Sequence, residues 1–104
     1  MKTLFILVLI YFTAGFTTAI EFKNEEKVVL LGNTFIERDV NFGHIETHLA
    51  LSLSEKRLTF RNLGWSGDTV YCHARSYFGP PQEGFDRLKK HIQFLKPTTV
   101  LMCY

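Results

Sequence analysis

The chain has 104 residues, 46% of them hydrophobic and 21% charged, with 12 Lys plus Arg set against 10 Asp plus Glu. A formal charge of +2 is too balanced for electrostatic capture of nucleic acid, which needs clustered basic charge. The apolar content excludes intrinsic disorder, seven Gly and three Pro exclude collagen-like or low-complexity sequence, and two Cys cannot build the framework of a disulfide-stapled mini-domain.

The chain opens with a short positive start, Met1-Lys2-Thr3, followed by the apolar run LFILVLIYFTAGF over residues 4–16. Thr17-Thr18-Ala19 then supplies the small residues that a signal peptidase reads. The apolar run falls short of the roughly 20 residues that span a bilayer. Residues 1–19 therefore read as a secretory signal cleaved after Ala19, which commits the chain to the periplasm or the exterior. No stable membrane anchor is expected after cleavage. The remaining 85 residues carry a formal charge of +1. Residues 20–26 read as a short leader.

Residues 27–31 (KVVLL) form a brief β-branched apolar run ending at Gly32, the pattern of a buried strand. Asn33 and Thr34 are both able to cap a helix. Apolar positions recur from Phe35 to Leu53, but Gly43 interrupts them, so the helical pattern is good only from about His44. Residues 58–63 (LTFRNL) alternate apolar and polar, as a second strand does. A loop with two glycines follows, and residues 70–78 fit a short helix or an irregular segment. Gly79-Pro80-Pro81 marks a turn or an extended stretch. Phe85, Leu88, His91, Ile92 and Leu95 lie at helical spacing over residues 82–95, and Pro97 stops that helix. A third strand begins at about residue 98 and runs to Tyr104.

Apolar strands joined by helical crossovers imply a parallel sheet covered on both faces, with ligands bound beyond the carboxyl ends of the strands. Three loops belong there, after Leu31, after Leu63 and after Tyr104. Three strands make a meagre parallel sheet, so residues 27–104 are expected to be the N-terminal part of a longer domain.

Two of these loops carry a signature. Residues 28–38 read VVLLGNTFIER, and residues 62–69 read NLGWSGDT. A strand, a Gly-x-hydroxyl turn and a helix, followed by Asn-x-Gly-x-Ser-Gly-Asp-Thr, resemble the first two blocks of the SGNH/GDSL hydrolase family. The resemblance covers residues 26–104, about the first half of a typical family domain. It implies a three-layer α/β/α flavodoxin-like sheet and hydrolysis of ester bonds, acyl or acetyl, on small molecules or carbohydrate. It implies no cofactor. In such enzymes a block-one serine is the nucleophile and a C-terminal Asp/His pair activates it. The serine N–H, a second-block glycine and a third-block asparagine hold the oxyanion. Gly67 matches the oxyanion glycine. Thr34 stands where the nucleophilic serine belongs and Asn33 where the aspartate belongs. The Asn, Asp and His partners are expected past Tyr104.

Thr34 thus has two readings, a hydroxyl nucleophile or a helix cap. Asn33 is a candidate for substrate contact or simply a turn residue. Trp65 lines a substrate pocket or packs, and Asp68 contacts substrate or bonds nearby backbone. Ser66 lacks the spacing of a nucleophile elbow. His44 and His48 share a helix face but find no third ligand at fitting spacing, so no metal site is expected. His91 falls on the apolar side of its helix. Cys72 and Cys103 either pair or remain thiols. A catalytically degenerate ligand-binding module and an inactive truncated fragment are the alternatives to the hydrolase.

Overall fold

Val28, Val29 and Leu30 are each 1% exposed, so the run that contains them has to lie in the middle of the molecule. It does, as β1 (Glu26–Gly32), in a computed structural model that describes residues 20–104. The export signal read at residues 1–19 lies outside the described residues. β1 is flanked by β2 (Leu58–Gly64) and β3 (Thr99–Cys103) in a parallel sheet of order β2-β1-β3. This is an α/β arrangement consistent with a flavodoxin-like sheet.

Successive side chains of a strand point to opposite faces, and β1 feeds two cores accordingly. Val29 and Leu31 pack with Cys72 and Leu88, joined by Leu63, Ile92 and Leu95. Val28 and Leu30 pack with Ile36, joined by Phe22, Ile45, Phe60 and Leu101. Burial of each such side chain is worth about 1.5–3 kcal/mol. The first face is covered by α3 (Pro81–Leu95) and the second by α1 (Thr34–Asp39) and α2 (His44–Ser52). Across the sheet Val29 stands opposite Arg61 on one side and Val100 on the other.

The elements compare with the sequence pattern at three points. A helix forms before Gly43 as well as after it: α1 is capped by the Asn33 side chain, which accepts from Phe35 N–H. Asp39, buried at the end of α1, then reaches forward, and its Oδ1 accepts from the N–H groups of His44 and Ile45. One carboxylate therefore serves the first turn of α2 where Gly43 itself offers no side chain. Second, residues 70–78 hold only a single 3-10 turn, Ala74–Ser76. Third, α3 starts at Pro81, where the missing N–H costs nothing. Its buried stripe runs through Gly84 and Leu88 to Ile92 and Leu95, leaving His91 exposed.

β3 is the thinly covered strand. Met102 is 72% exposed and Cys103 is exposed as well. Cys103 and the buried Cys72 are both free thiols, so the two do not pair. Among the described residues no helix is long and apolar enough to cross a membrane.

Candidate functional site

The carboxyl ends of β1 and β2 finish level, with Gly32 opposite Gly64. Both chains then leave the sheet, and the ladder gains one more rung as Trp65 N–H donates to Gly32 C=O at 3.0 Å. From Gly32 the chain turns directly into α1. From Gly64 it enters the loop that carries the second sequence block.

Two features bring these segments together. A Cβ at Gly64 would lie 2.1 Å from the Glu37 backbone nitrogen, so α1 rests on this glycine at a distance that any side chain would prevent. Asn62 then bridges the gap: its Nδ2 donates to Ile36 C=O at 2.6 Å while its Oδ1 accepts from Gly64 N–H at 2.7 Å. Beyond them, Ser66 Oγ donates to Glu37 Oε2 at 2.9 Å. Helix α1 is held against the end of β2 by backbone, amide and hydroxyl contacts in turn.

This packing places Thr34 beside Gly67. The Gly67 N–H donates to Thr34 Oγ1 at 2.9 Å, joining residues 33 apart in the chain. Gly67 has φ +72°, the left-handed conformation that aims its N–H at the hydroxyl and that L side chains rarely adopt. Thr34 is half-buried, and it is the first residue of α1, where a backbone N–H has no intrahelical partner. The Gly67 N–H and the Thr34 hydroxyl thus meet at the carboxyl end of the sheet, where open α/β sheets bind ligands. Beside Thr34 lies an open groove of about 360 Å³ lined by Phe35, Arg38, Asp39, Phe42 and His44. The Phe42 and His44 rings stack there, 5.6 Å apart and 6° from parallel.

The remaining sequence candidates divide. Asn33 spends its side chain on capping α1, so the capping role weighed for Thr34 belongs to its neighbour. Trp65 packs: it meets Tyr77 edge-on at 5.6 Å and takes the Arg75 guanidinium over its ring at 5.6 Å. Asp68 does not face a ligand space. Its side chain is fully buried and pairs with Arg75 Nε at 2.6 Å. Among the described residues no histidine is hydrogen-bonded to Thr34, although His44 lines the groove beside it. His73 Nδ1 is 2.8 Å from Thr69 Oγ1, and His44, His48 and His91 are exposed. Among the described residues no group of three or more His, Cys, Asp or Glu could hold a metal.

Arg75 and Glu37 are not singled out in the sequence, and Asn62 enters only as the first residue of the second block. Arg75 is the most informative of them, a 1%-exposed arginine beneath the second-block loop. Its Nη2 donates to Leu63 C=O at 2.5 Å and its own carbonyl accepts from Arg87 Nε at 2.9 Å. Burial raises the Tyr104 phenol above its ordinary value, with the Arg75 charge pulling the other way. Burial likewise raises the Cys72 thiol, which favours its neutral form.

Comparison of the chain with protein-family models, curated proteins and solved structures returns no match.

Proposed function

We propose that this chain belongs to an exported SGNH/GDSL-type hydrolase that cleaves ester bonds, acyl or acetyl, on small molecules or carbohydrate. The observation that carries the reading is the 2.9 Å contact between Gly67 N–H and Thr34 Oγ1 at the carboxyl end of the sheet. It joins the two positions that the family resemblance assigns to the oxyanion donor and the nucleophile.

In this reading Thr34 Oγ1 attacks the ester carbonyl carbon. The carbonyl π pair moves onto its oxygen, and the hydroxyl proton passes to the histidine base that the family resemblance implies. The oxyanion then takes the N–H groups of Gly67 and Thr34, a preorganised pair whose members are each worth about 2.7–4 kcal/mol in such sites. Collapse of the tetrahedral species expels the alcohol and leaves an acyl group on Thr34. Water releases that group as the acid and restores the hydroxyl. The threonine methyl narrows χ1 and crowds the attack, so turnover with threonine is slower than it would be with serine.

The test is ester hydrolysis by the full-length secreted protein, with p-nitrophenyl acetate and butyrate as probes. Thr34→Ser raises kcat and Thr34→Ala reduces it to background. No hydrolysis by wild type or by Thr34→Ser overturns the proposal.

One observation favours a second reading, a ligand-binding module that has lost catalysis. Among the described residues no histidine is hydrogen-bonded to Thr34, whose hydroxyl accepts from Gly67 instead. A module of this kind binds acetate or a sugar carboxylate on the Gly67 and Thr34 amides, in wild type and Thr34→Ala alike, without turnover. Calorimetric titration of both proteins with acetate separates the two readings.

A further inference from the structure

Gly67 supplies a donor only while its N–H points at Thr34, and a left-handed glycine in a surface loop is free to turn away. Something has to hold it. Residues 64–67 are bracketed by Leu63 on the strand side and Asp68 on the far side, and a single buried side chain grips both brackets. Arg75 Nη2 donates to Leu63 C=O at 2.5 Å, while Arg75 Nε donates to Asp68 Oδ2 at 2.6 Å. Between the brackets Asp68 N–H donates to Trp65 C=O at 3.0 Å and closes the turn. The Trp65 ring lies 5.6 Å from the guanidinium, so the loop folds its aromatic residue over the group that holds it.

We propose that Arg75, through Asp68, is the positioning residue that keeps the Gly67 N–H on the Thr34 hydroxyl. The inference rests on the reading of Thr34 and Gly67 as nucleophile and donor. It adds a residue that neither sequence block contains.

The chemistry of the pair argues for positioning over simple stabilisation. Arg75 is 1% exposed and the Asp68 side chain is fully buried, so both charges have lost their water. Buried ion pairs are often matched in stability by apolar side chains of similar volume. The planar guanidinium fork supplies direction instead, fixing two acceptors at once in a way that neither an apolar side chain nor lysine reproduces. Asp68 depends on it heavily, because its other carboxylate oxygen, Oδ1, is buried without a hydrogen-bond partner. Arg75 is itself held from outside. Its carbonyl accepts from Arg87 Nε at 2.9 Å, and the Arg87 guanidinium lies 4.7 Å from the Tyr77 ring that packs edge-on against Trp65. The chain reaches this arrangement through two non-glycine residues at positive φ, Cys72 at 61° and Tyr77 at 56°, one on each side of Arg75. Such conformations persist where surrounding contacts over-determine them.

The test compares wild type, Arg75→Met and Arg75→Lys of the full-length protein, labelled with nitrogen-15. Two readouts are taken: hydrogen exchange at the Gly67 amide against Val29 and Leu30 in β1, and kcat and KM for p-nitrophenyl acetate. In Arg75→Met the Gly67 amide exchanges at least about tenfold faster while Val29 and Leu30 keep their rates. The kcat falls at least about tenfold with KM within about twofold, as for a donor that acts in the transition state. Arg75→Lys, which keeps the charge but not the fork, recovers part of both. Where Arg75→Met fails to fold, Asp68→Asn keeps the shape and one acceptor and is read by the same exchange experiment. A Gly67 amide that is unchanged, or that accelerates only in step with Val29 and Leu30, overturns the proposal. If wild type hydrolyses no ester, the hydrolase reading falls, while Gly67 exchange still decides whether Arg75 positions it.

Discussion

The two ends of the sheet are both tied by polar side chains, and they are tied differently. At the amino end Glu26 is buried beneath the start of β3, where its carboxylate accepts from the hydroxyls of Thr98 and Thr99 and from Lys23 N–H. The donors there are two hydroxyls and a backbone N–H, and the hydroxyls tie the start of β1 to the start of β3. Close by, Arg57 and Glu25 form an ion pair that is open to solvent. At the carboxyl end the bonds tie a helix, a strand end and the loop after it: Asn62 to α1, Ser66 to Glu37, and Arg75 to Asp68 with both charges buried. The amino end keeps strands in place with acceptors that any hydroxyl can satisfy. The carboxyl end commits desolvated charge and the close approach of α1 to Gly64, which in the proposal fix the direction of a single N–H. That difference separates the end where the proposed site lies from the end that anchors the strands.

Substitutions at the two ends sharpen the contrast. The largest effect is expected from Asp68→Ala, which strands the Arg75 guanidinium without its counter-charge. Removing one partner of a buried pair costs about 3–5 kcal/mol, read from the urea midpoint. Next is Gly64→Ala, whose Cβ meets the Glu37 nitrogen and forces α1 away from β2. Overpacking of this kind costs about 1–3 kcal/mol. Faster exchange at the Gly67 amide is expected with it, since Thr34 moves with α1.

At the amino end the test is pH. The Glu26 carboxyl is lowered from 4.5 to about 2, chiefly by the Thr98 hydroxyl and then by Thr99. A carboxyl lowered by folding stabilises the protein above its unfolded value and loses that contribution as pH falls through its folded value. Stability should therefore decline between about pH 4.5 and about pH 2, and Glu26→Gln should flatten that decline while lowering stability at neutral pH. Denaturant midpoints of both proteins across this range check it. The smallest effect is expected from Arg57→Ala, which breaks an exposed pair and should change stability by no more than about 0.5 kcal/mol.

The sequence made the sheet readable because burial on both faces writes a continuous apolar run, and Val28 to Leu31 is one. It made α3 readable through helical spacing, although which residues faced inward depended on packing. His91 lost its place in the stripe to Gly84, which lets the helix approach the loop around Cys72. Helix α1 was harder to see, because a six-residue helix has too few turns for periodicity and owes its start to Asn33. Its neighbour α2 owes its first turn to Asp39, five and six residues before the amides it satisfies, a reach no capping pattern covers. Thr34 and Gly67 were singled out by a block resemblance, and only the structure puts them 2.9 Å apart. Arg75 left no trace in the sequence. A buried arginine looks like any surface arginine until its partner is known, and here the partner lies seven residues back across an irregular segment.

The central position of β1 also governs when the molecule can fold. β1 is the first strand to be made, yet its neighbours come later, and Lys27 is bonded to a residue 71 positions further on. Contacts of such long range are slow to form, because the loop they close must first give up its freedom. One edge of β1 stays unpaired until β2 has been synthesised, and the other until Thr99–Cys103 has emerged. Throughout that interval Val28 to Leu31 remain an apolar segment without a sheet. An apolar strand in that condition is prone to pair with another chain before its own neighbours arrive.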